Sequence, residues 1–303
     1  MFKRFALLIL TNFAVMAAIS LVLGVLNALG VFGHGDFMRA YGPLIVLSCV
    51  AGFGGAFISL LASKWIAKWT TGAKVIDSPR DADEAWLLQT VHLLANRAGV
   101  GIPEVAIYES PELNAFATGA SRNHALVAVS SGLLRRMSHP EIEAVIGHEL
   151  THVANGDMVT MTLLQGVLNT FVIFFSRIIG GLVDGALRGC DSNRRGGGIG
   201  YFVSTMVAQF ALGFLAMLII SAFSRWREFR ADRGGAGLAG REKMIAALRS
   251  LGRQEETYLP KSMAAFGING GGALGLLRSH PPLEKRIQAL EAIGYSAPIN
   301  ASV

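Results

Sequence analysis

The stretch 144-AVIGHELTHVANGD-157 places two histidines, a glutamate and an aspartate just ahead of a long apolar run. Its centre, His148-Glu149-Leu150-Thr151-His152, has the form H-E-x-x-H. On a helix, positions i and i+4 share a face, so both imidazoles can bind one ion. Glu149 is one step round from His148 and can reach a water on that ion, but not the ion itself. This is the arrangement for a zinc-bound water with a carboxylate base. The bland alternative is a solvated helix face that carries two histidines. Upstream, Ser138-His139-Pro140-Glu141 has the S-x-x-E form of a capping box, which starts the helix.

Outward from this stretch, the chain is unusually apolar. Of its 303 residues 52% are hydrophobic and only 16% charged, with a mean hydropathy of +0.46; soluble domains carry about 25% charged residues. The missing charge is concentrated in blocks. Residues 6–32, 42–63 and 196–224 hold no Asp, Glu, Lys or Arg, and 158–176 is likewise uncharged until Arg177. A bilayer core needs roughly 20 apolar residues in a helix, and only a helix satisfies an open chain's backbone there. Four transmembrane helices are expected. The first, preceded by MFKR, is read as an uncleaved anchor, because its apolar stretch exceeds a signal peptide's and a second span soon follows.

Basic residues set the orientation. Lys3 and Arg4 precede the first span, Lys64, Lys68 and Lys74 follow the second, and Arg225, Arg227, Arg230 and Arg233 follow the fourth. The N-terminus, segment 64–157 and the C-terminal part are therefore expected in the cytoplasm, while Arg188, Arg194 and Arg195 mildly violate the rule. The net charge of +6 is explained by these flanks, and no aromatic-interleaved basic patch argues for nucleic acid. Cys49 and Cys190 are too far apart for a disulfide framework or metal cage.

The polar parts read as an α/β domain. Residues 81–98 form an amphipathic helix, with Trp86, Leu87, Val91 and Leu94 at helical spacing and Gly99 at its end. "EVAIYE", "NAFAT" and "ALVAVS" are short strands between Pro, Asn and Ser. Residues 225–252 and 282–292 read as helices, and "GINGGGALG" as a flexible loop. The expected architecture is an α-helical multi-pass membrane protein with a cytoplasmic α/β catalytic domain. Its expected parts are a membrane anchor (1–66), a catalytic part (67–157), two more spans (158–224) and a second cytoplasmic part (225–303).

A tetrahedral catalytic zinc wants a third protein ligand. "SRWREFRAD" offers Glu228, with Asp232 one turn on to accept a hydrogen bond from a bound imidazole. Ordinary pairing with Arg225, Arg227 or Arg230 is the alternative for both. Taken together, HEXXH, a distant E-x-x-x-D and a closing "SHPPLEKRI" make the chain similar to the M48 membrane metalloproteases of the gluzincin class. The resemblance covers nearly the whole chain. It implies one zinc per chain held by His148, His152 and Glu228, with Glu149 as general base. It also implies that Asn114, Ala115, Phe116 and Ala117 are a substrate-pairing edge strand. The substrates it implies are misfolded membrane proteins, cleaved at the cytoplasmic face of a bacterial inner membrane under stress. His280 either stabilises an oxyanion or merely opens the last helix with its prolines. His34, His92, His124 and His139 have no assigned role.

Two rivals from other classes remain to be weighed. An intramembrane metalloprotease would take Asp184 of "LVDGA" as last ligand, yet on a continuous helix that residue lies about 48 Å from His152 at 1.5 Å per residue. Glu141, Glu143 and Asp157 are also too many charges for hydrocarbon. A non-enzymatic membrane adaptor would predict a damaged metal motif, and this one is intact.

Overall fold

The computed structural model describes residues 37–188, 198–258 and 280–292. The first apolar block, His34, Cys190, Arg194, Arg195 and the glycine-rich 269–275 stretch lie outside the described residues. Elements in chain order are α1 (Phe37–Thr71), β1 (Lys74–Val75), α2 (Ala82–Arg97), β2 (Glu104–Tyr108), β3 (Ala115–Gly119) and β4 (Ala125–Ser130). Then follow α3 (Ser131–Arg136), α4 (His139–Asn155), α5 (Asp157–Arg188), α6 (Ile199–Ala239), α7 (Arg241–Tyr258) and α8 (Leu283–Glu291).

Three helices among the described residues are long and apolar enough to cross a membrane: Tyr41–Thr71, Asp157–Leu187 and Ile199–Ala239. They correspond to the second, third and fourth apolar blocks. The last is not a span followed by a separate polar helix. It is one 41-residue helix that runs through the boundary expected at 224/225, because no Pro or Gly breaks the helical pattern between the apolar half and "SRWREFRAD".

The chain divides into two compact units. One combines the stretch ending at Ser59 with Met161–Ile220, and the other combines Leu60–Thr160 with the part from Ser221 onward. In the first, Ile45, Cys49, Phe53, Phe174 and Ile178 form a buried apolar cluster. Lacking side chains, Gly52 and Gly166 let α1 and α5 approach closely. A Cβ on Gly52 would meet the Thr170 backbone at 2.7 Å, and one on Gly166 would meet the Phe53 ring at 2.7 Å.

The second unit is built on a four-stranded sheet in the order β1-β2-β4-β3, with β2 parallel to β4 and the other pairs antiparallel. β4 is buried along its whole length, as expected of a strand covered on both faces. Val127 and Val129 join one core with Leu87, Leu94, Ile146 and Leu150 of α2 and α4. Leu126 and Ala128 point the other way, toward Ala106, Tyr108 and Ala67 near the end of α1. Each fully buried aliphatic side chain contributes about 1.5–3 kcal/mol. Strands β2, β3 and β4 lie where the sequence places them; β1 is too short to show a period. Asp81 caps α2 by accepting from Glu84 N at 2.8 Å. Gly99 ends that helix with a φ of 64°.

α4 carries the H-E-x-x-H motif. Its capping box is formed, with Ser138 N donating to Glu141 Oε2 at 2.8 Å. It stops at Gly156, whose φ of 70° only glycine adopts cheaply. α5 starts at once with Asp157. The motif helix therefore does not run on into the span but turns at one residue.

Candidate metal centre

Helical spacing does on α4 what the sequence suggests. His148 and His152, one turn apart, bring their Nε2 atoms to 3.2 Å of each other. From α6, Glu228 reaches both: Oε1 lies 3.3 Å from His152 Nε2 and Oε2 3.5 Å from His148 Nε2. Among the described residues these three form the grouping able to hold a metal ion, their donor atoms all within 4.8 Å. A zinc ion binds nitrogen and oxygen at about 2.0–2.1 Å in a tetrahedron, which sets neighbouring ligand atoms about 3.3 Å apart. The three separations, 3.2, 3.3 and 3.5 Å, lie close to that edge length. The donor set fits the ion. Asp184, the ligand that an intramembrane protease would use, is not part of the grouping.

The surroundings are built to orient these groups. His148 Nδ1 lies 3.0 Å from Asp232 Oδ1, near contact without a fully aligned hydrogen bond. His152 Nδ1 meets Asp157 Oδ2 at 2.6 Å. Each imidazole thus turns Nδ1 to a carboxylate and Nε2 to the centre, the tautomer that a metal requires. Arg286 of α8 forks onto Asp232, with Nε donating at 2.8 Å and an Nη at 2.6 Å. Both are buried. Glu149, Glu228, Asp232 and Asp157 against Arg286 leave a formal charge of −3 (four carboxylates less one guanidinium) with neutral imidazoles. Burial opposes charge on His148, yet the Asp232 and Glu228 carboxylates hold its imidazolium up to about 9. His152 is raised in the same way, by Asp157 and Glu228 against burial. This cluster calls for positive charge.

Glu149 stands beside the ligand atoms and is not one of them. Its Oε2 accepts from the backbone N–H of Ala117, at 3.0 Å. β3 is an edge strand, and its backbone alternates. Ser130 N donates to Asn114 O at 2.9 Å, and Asn114 N donates to Ser130 Oγ. Asn114 is therefore turned to β4, and alternation turns Ala115 and Ala117 outward. Of the four strand residues expected to pair with substrate, those two expose backbone on the side of Glu149. His280 places Nδ1 2.8 Å from Glu228 Oε2, its ring largely open to solvent. The prolines after it do lead into α8, with Pro282 as N-cap. Its neighbour in the cluster is thus Glu228, the carboxylate of the three-residue grouping.

Sequence reasoning missed Asp157, Arg286 and the glycines between α4 and α6. Asp157 had a local signal, five residues after His152 and just past a helix-stopping glycine. Arg286 lies within "SHPPLEKRI", but its pairing had no local signal, because its partner lies 54 residues away. Gly235 sits where a Cβ would meet His148 N at 2.9 Å, and a Cβ on Gly234 would collide with the Thr151 side chain. Of the unassigned histidines, His139 stacks on Trp86 with centroids 3.8 Å apart. His124 contacts Ser121, and His92 is exposed.

What these elements define together is a membrane-bound metalloprotease. The chain belongs to Peptidase family M48, whose sequence pattern matches residues 81–294. It is 56% identical over 295 residues to Protease HtpX of Stenotrophomonas maltophilia (strain R551-3), covering 96% of this chain and 99% of the relative. To Protease HtpX of Tolumonas auensis (strain DSM 9187 / NBRC 110442 / TA 4) it is 54% identical over 290 residues, covering 95% and 98%. The crystal structure of S. mikatae Ste24p shares the fold with a TM-score of 0.57 at 17% identity, over 96% of this chain and 67% of that one.

Proposed function

We propose that this chain is a zinc-dependent endopeptidase of the bacterial inner membrane, cutting misfolded membrane proteins at the cytoplasmic face. The observation that carries the reading is the convergence of His148, His152 and Glu228 within 4.8 Å, with Glu149 adjacent but bound to strand β3. The three would hold one zinc ion. Bound there, the ion would act as a Lewis acid toward a peptide carbonyl and acidify a water. Glu149 would take the proton from that water and pass it to the leaving amine. Asp157 and Asp232 would hold the imidazole tautomers, and Arg286 would hold Asp232. A substrate would add as a strand along Ala115–Ala117, so that recognition depends on unfolded backbone more than on side chains. The proximity of His280 to Glu228 supports a part in steadying charge at the centre.

The topology belongs to the same proposal. Four spans, counting residues 6–32, would put the N-terminus, 67–157 and 225–303 on the cytoplasmic side, with unfolded substrates drawn from the bilayer. The basic flanks support this orientation, and the relatives' name, Protease HtpX, supports the proteolytic activity.

The test is metal content against activity in two variants. Glu149→Gln should purify in detergent with about one zinc per chain, since three ligands remain, and should leave unfolded casein intact. Glu228→Ala should lose both zinc and proteolysis, because two imidazoles alone make a poor site. Zinc bound as tightly by Glu228→Ala as by wild type would mean that another group is the third ligand.

A further inference from the structure

Three of the four tryptophans are turned outward from the second unit. Trp65, Trp69 and Trp226 are 68%, 74% and 55% exposed, whereas Trp86 is packed against His139. Trp65 and Trp69 stack with planes 4° apart at the end of α1. They continue an exposed apolar stripe through Ile58 and Leu61 at helical spacing. The neighbouring face of the same turns carries Lys64 and Lys68, which grip Glu104 at 2.6 and 2.5 Å. α1 therefore docks one face on the sheet and offers indoles from the other.

The aromatic spacing on two helices agrees. On α1, Tyr41 precedes Trp65 by 24 residues; on α6, Tyr201 precedes Trp226 by 25. At 1.5 Å per residue these intervals are about 36 and about 38 Å. Both exceed a hydrocarbon core of about 30 Å and fall short of the about 40–45 Å that includes the headgroups. Tyr and Trp favour that boundary layer at each side. Around Trp226 lie Arg225, Arg227, Arg230 and Arg233. Arg230 stands over the indole ring at 5.5 Å, and both Arg230 and Arg233 are exposed. Cations beside an interfacial indole complement anionic headgroups.

The metal cluster is tied to two of the apolar helices, α6 through Glu228 and α5 through Asp157. Glu228 is two residues past Trp226, about 3 Å farther along the axis. Asp157, which holds His152, is the first residue of the span α5. We propose that Trp65, Trp69, Trp226 and the arginines of 225–233 form a belt seated in anionic phospholipid headgroups. The belt holds the metal cluster within about one helical turn of that layer. Resting on the protease reading, this narrows the substrate to the membrane-proximal segment of a membrane protein, the few residues where a chain leaves the bilayer. An extended chain advances about 3.3 Å per residue, so a bond only a few residues beyond the hydrocarbon can reach the site.

Two measurements on the full chain in phosphatidylcholine–phosphatidylglycerol vesicles test this. With Trp65, Trp69 and Trp86 replaced by Phe, Trp226 fluorescence should be quenched more by lipids brominated high on the acyl chain than by aqueous iodide. Dominant iodide quenching would overturn the belt. In the second, wild-type enzyme meets substrates made of one apolar span, a spacer of variable length and a common unfolded segment. Cleavage should begin at spacers of ten residues or fewer. A requirement for more than ten, with casein still cut, overturns the placement while leaving the protease reading intact. Failure on casein as well would sink the protease reading itself.

Discussion

The glycine contact between α4 and α6 leads to a sharp expectation for Gly235→Ala. A Cβ at this position would fall 2.9 Å from His148 N and 3.1 Å from its Cα. Favourable carbon contacts begin near 3.5 Å, so the helices must part by roughly 0.5 Å. Both atoms are backbone, and no rotamer change relieves the clash. Glu228 lies two turns earlier on α6, so the shift is carried to its carboxylate. Metal sites tolerate only about ±0.2 Å in ligand distance. Overpacking should cost about 1–3 kcal/mol, offset by about 1 kcal/mol from alanine's better helix propensity. Stability should therefore fall by about 0–2 kcal/mol, while zinc affinity falls about 10–100-fold, the range for disturbed ligand orientation. Competition between the purified protein and a chelator of known zinc affinity measures this, with thermal unfolding followed in parallel. Gly213→Ala, on the same helix with nothing within 4 Å of its Cβ, is the control. Equal zinc affinity in the two variants would refute the claim that close helix contact positions the Glu228 carboxylate.

Arg286→Ala leaves the Asp232 carboxylate buried without its guanidinium, a loss of about 3–5 kcal/mol for a broken buried pair. The melting midpoint should drop clearly, and Arg286→Lys should restore only part of it, since an ammonium cannot fork onto both oxygens; full rescue by Lys would count against the bidentate role. Glu104 gives a pH signature, because hydrogen bonds from Lys64 and Lys68 hold its carboxyl below the usual range. A depressed folded-state value stabilises the protein above the ordinary carboxylate pKa of about 4.3 and is lost as pH falls through the depressed value. Wild type should thus out-melt Glu104→Gln at pH 7, the gap closing toward pH 3; a gap constant with pH would show that these ion pairs contribute nothing.

Some of this protein was decided by local chemistry and was therefore legible in the chain. The i, i+4 spacing of His148 and His152 forces both rings onto one face of any helix. The Ser138–Glu141 capping box and Gly156 bound that helix from within a few residues. Uncharged blocks of about the length a bilayer needs announce spans, and short runs rich in Val, Ala, Ile and Phe between Pro, Asn and Ser announce β2, β3 and β4. Glu228 was legible only as one carboxylate in an arginine-rich run, and resemblance rather than spacing singled it out. Its 80-residue separation from His148 leaves no local trace. The fork of Arg286 onto Asp232, the grip of Ala117 on Glu149 and the seating of Gly235 against His148 came only with the tertiary structure. So did the unbroken course of α6 and the outward face of β3. Each depends on which surfaces meet when distant segments pack, and a periodicity records only that a face will be buried, not what will be found opposite it.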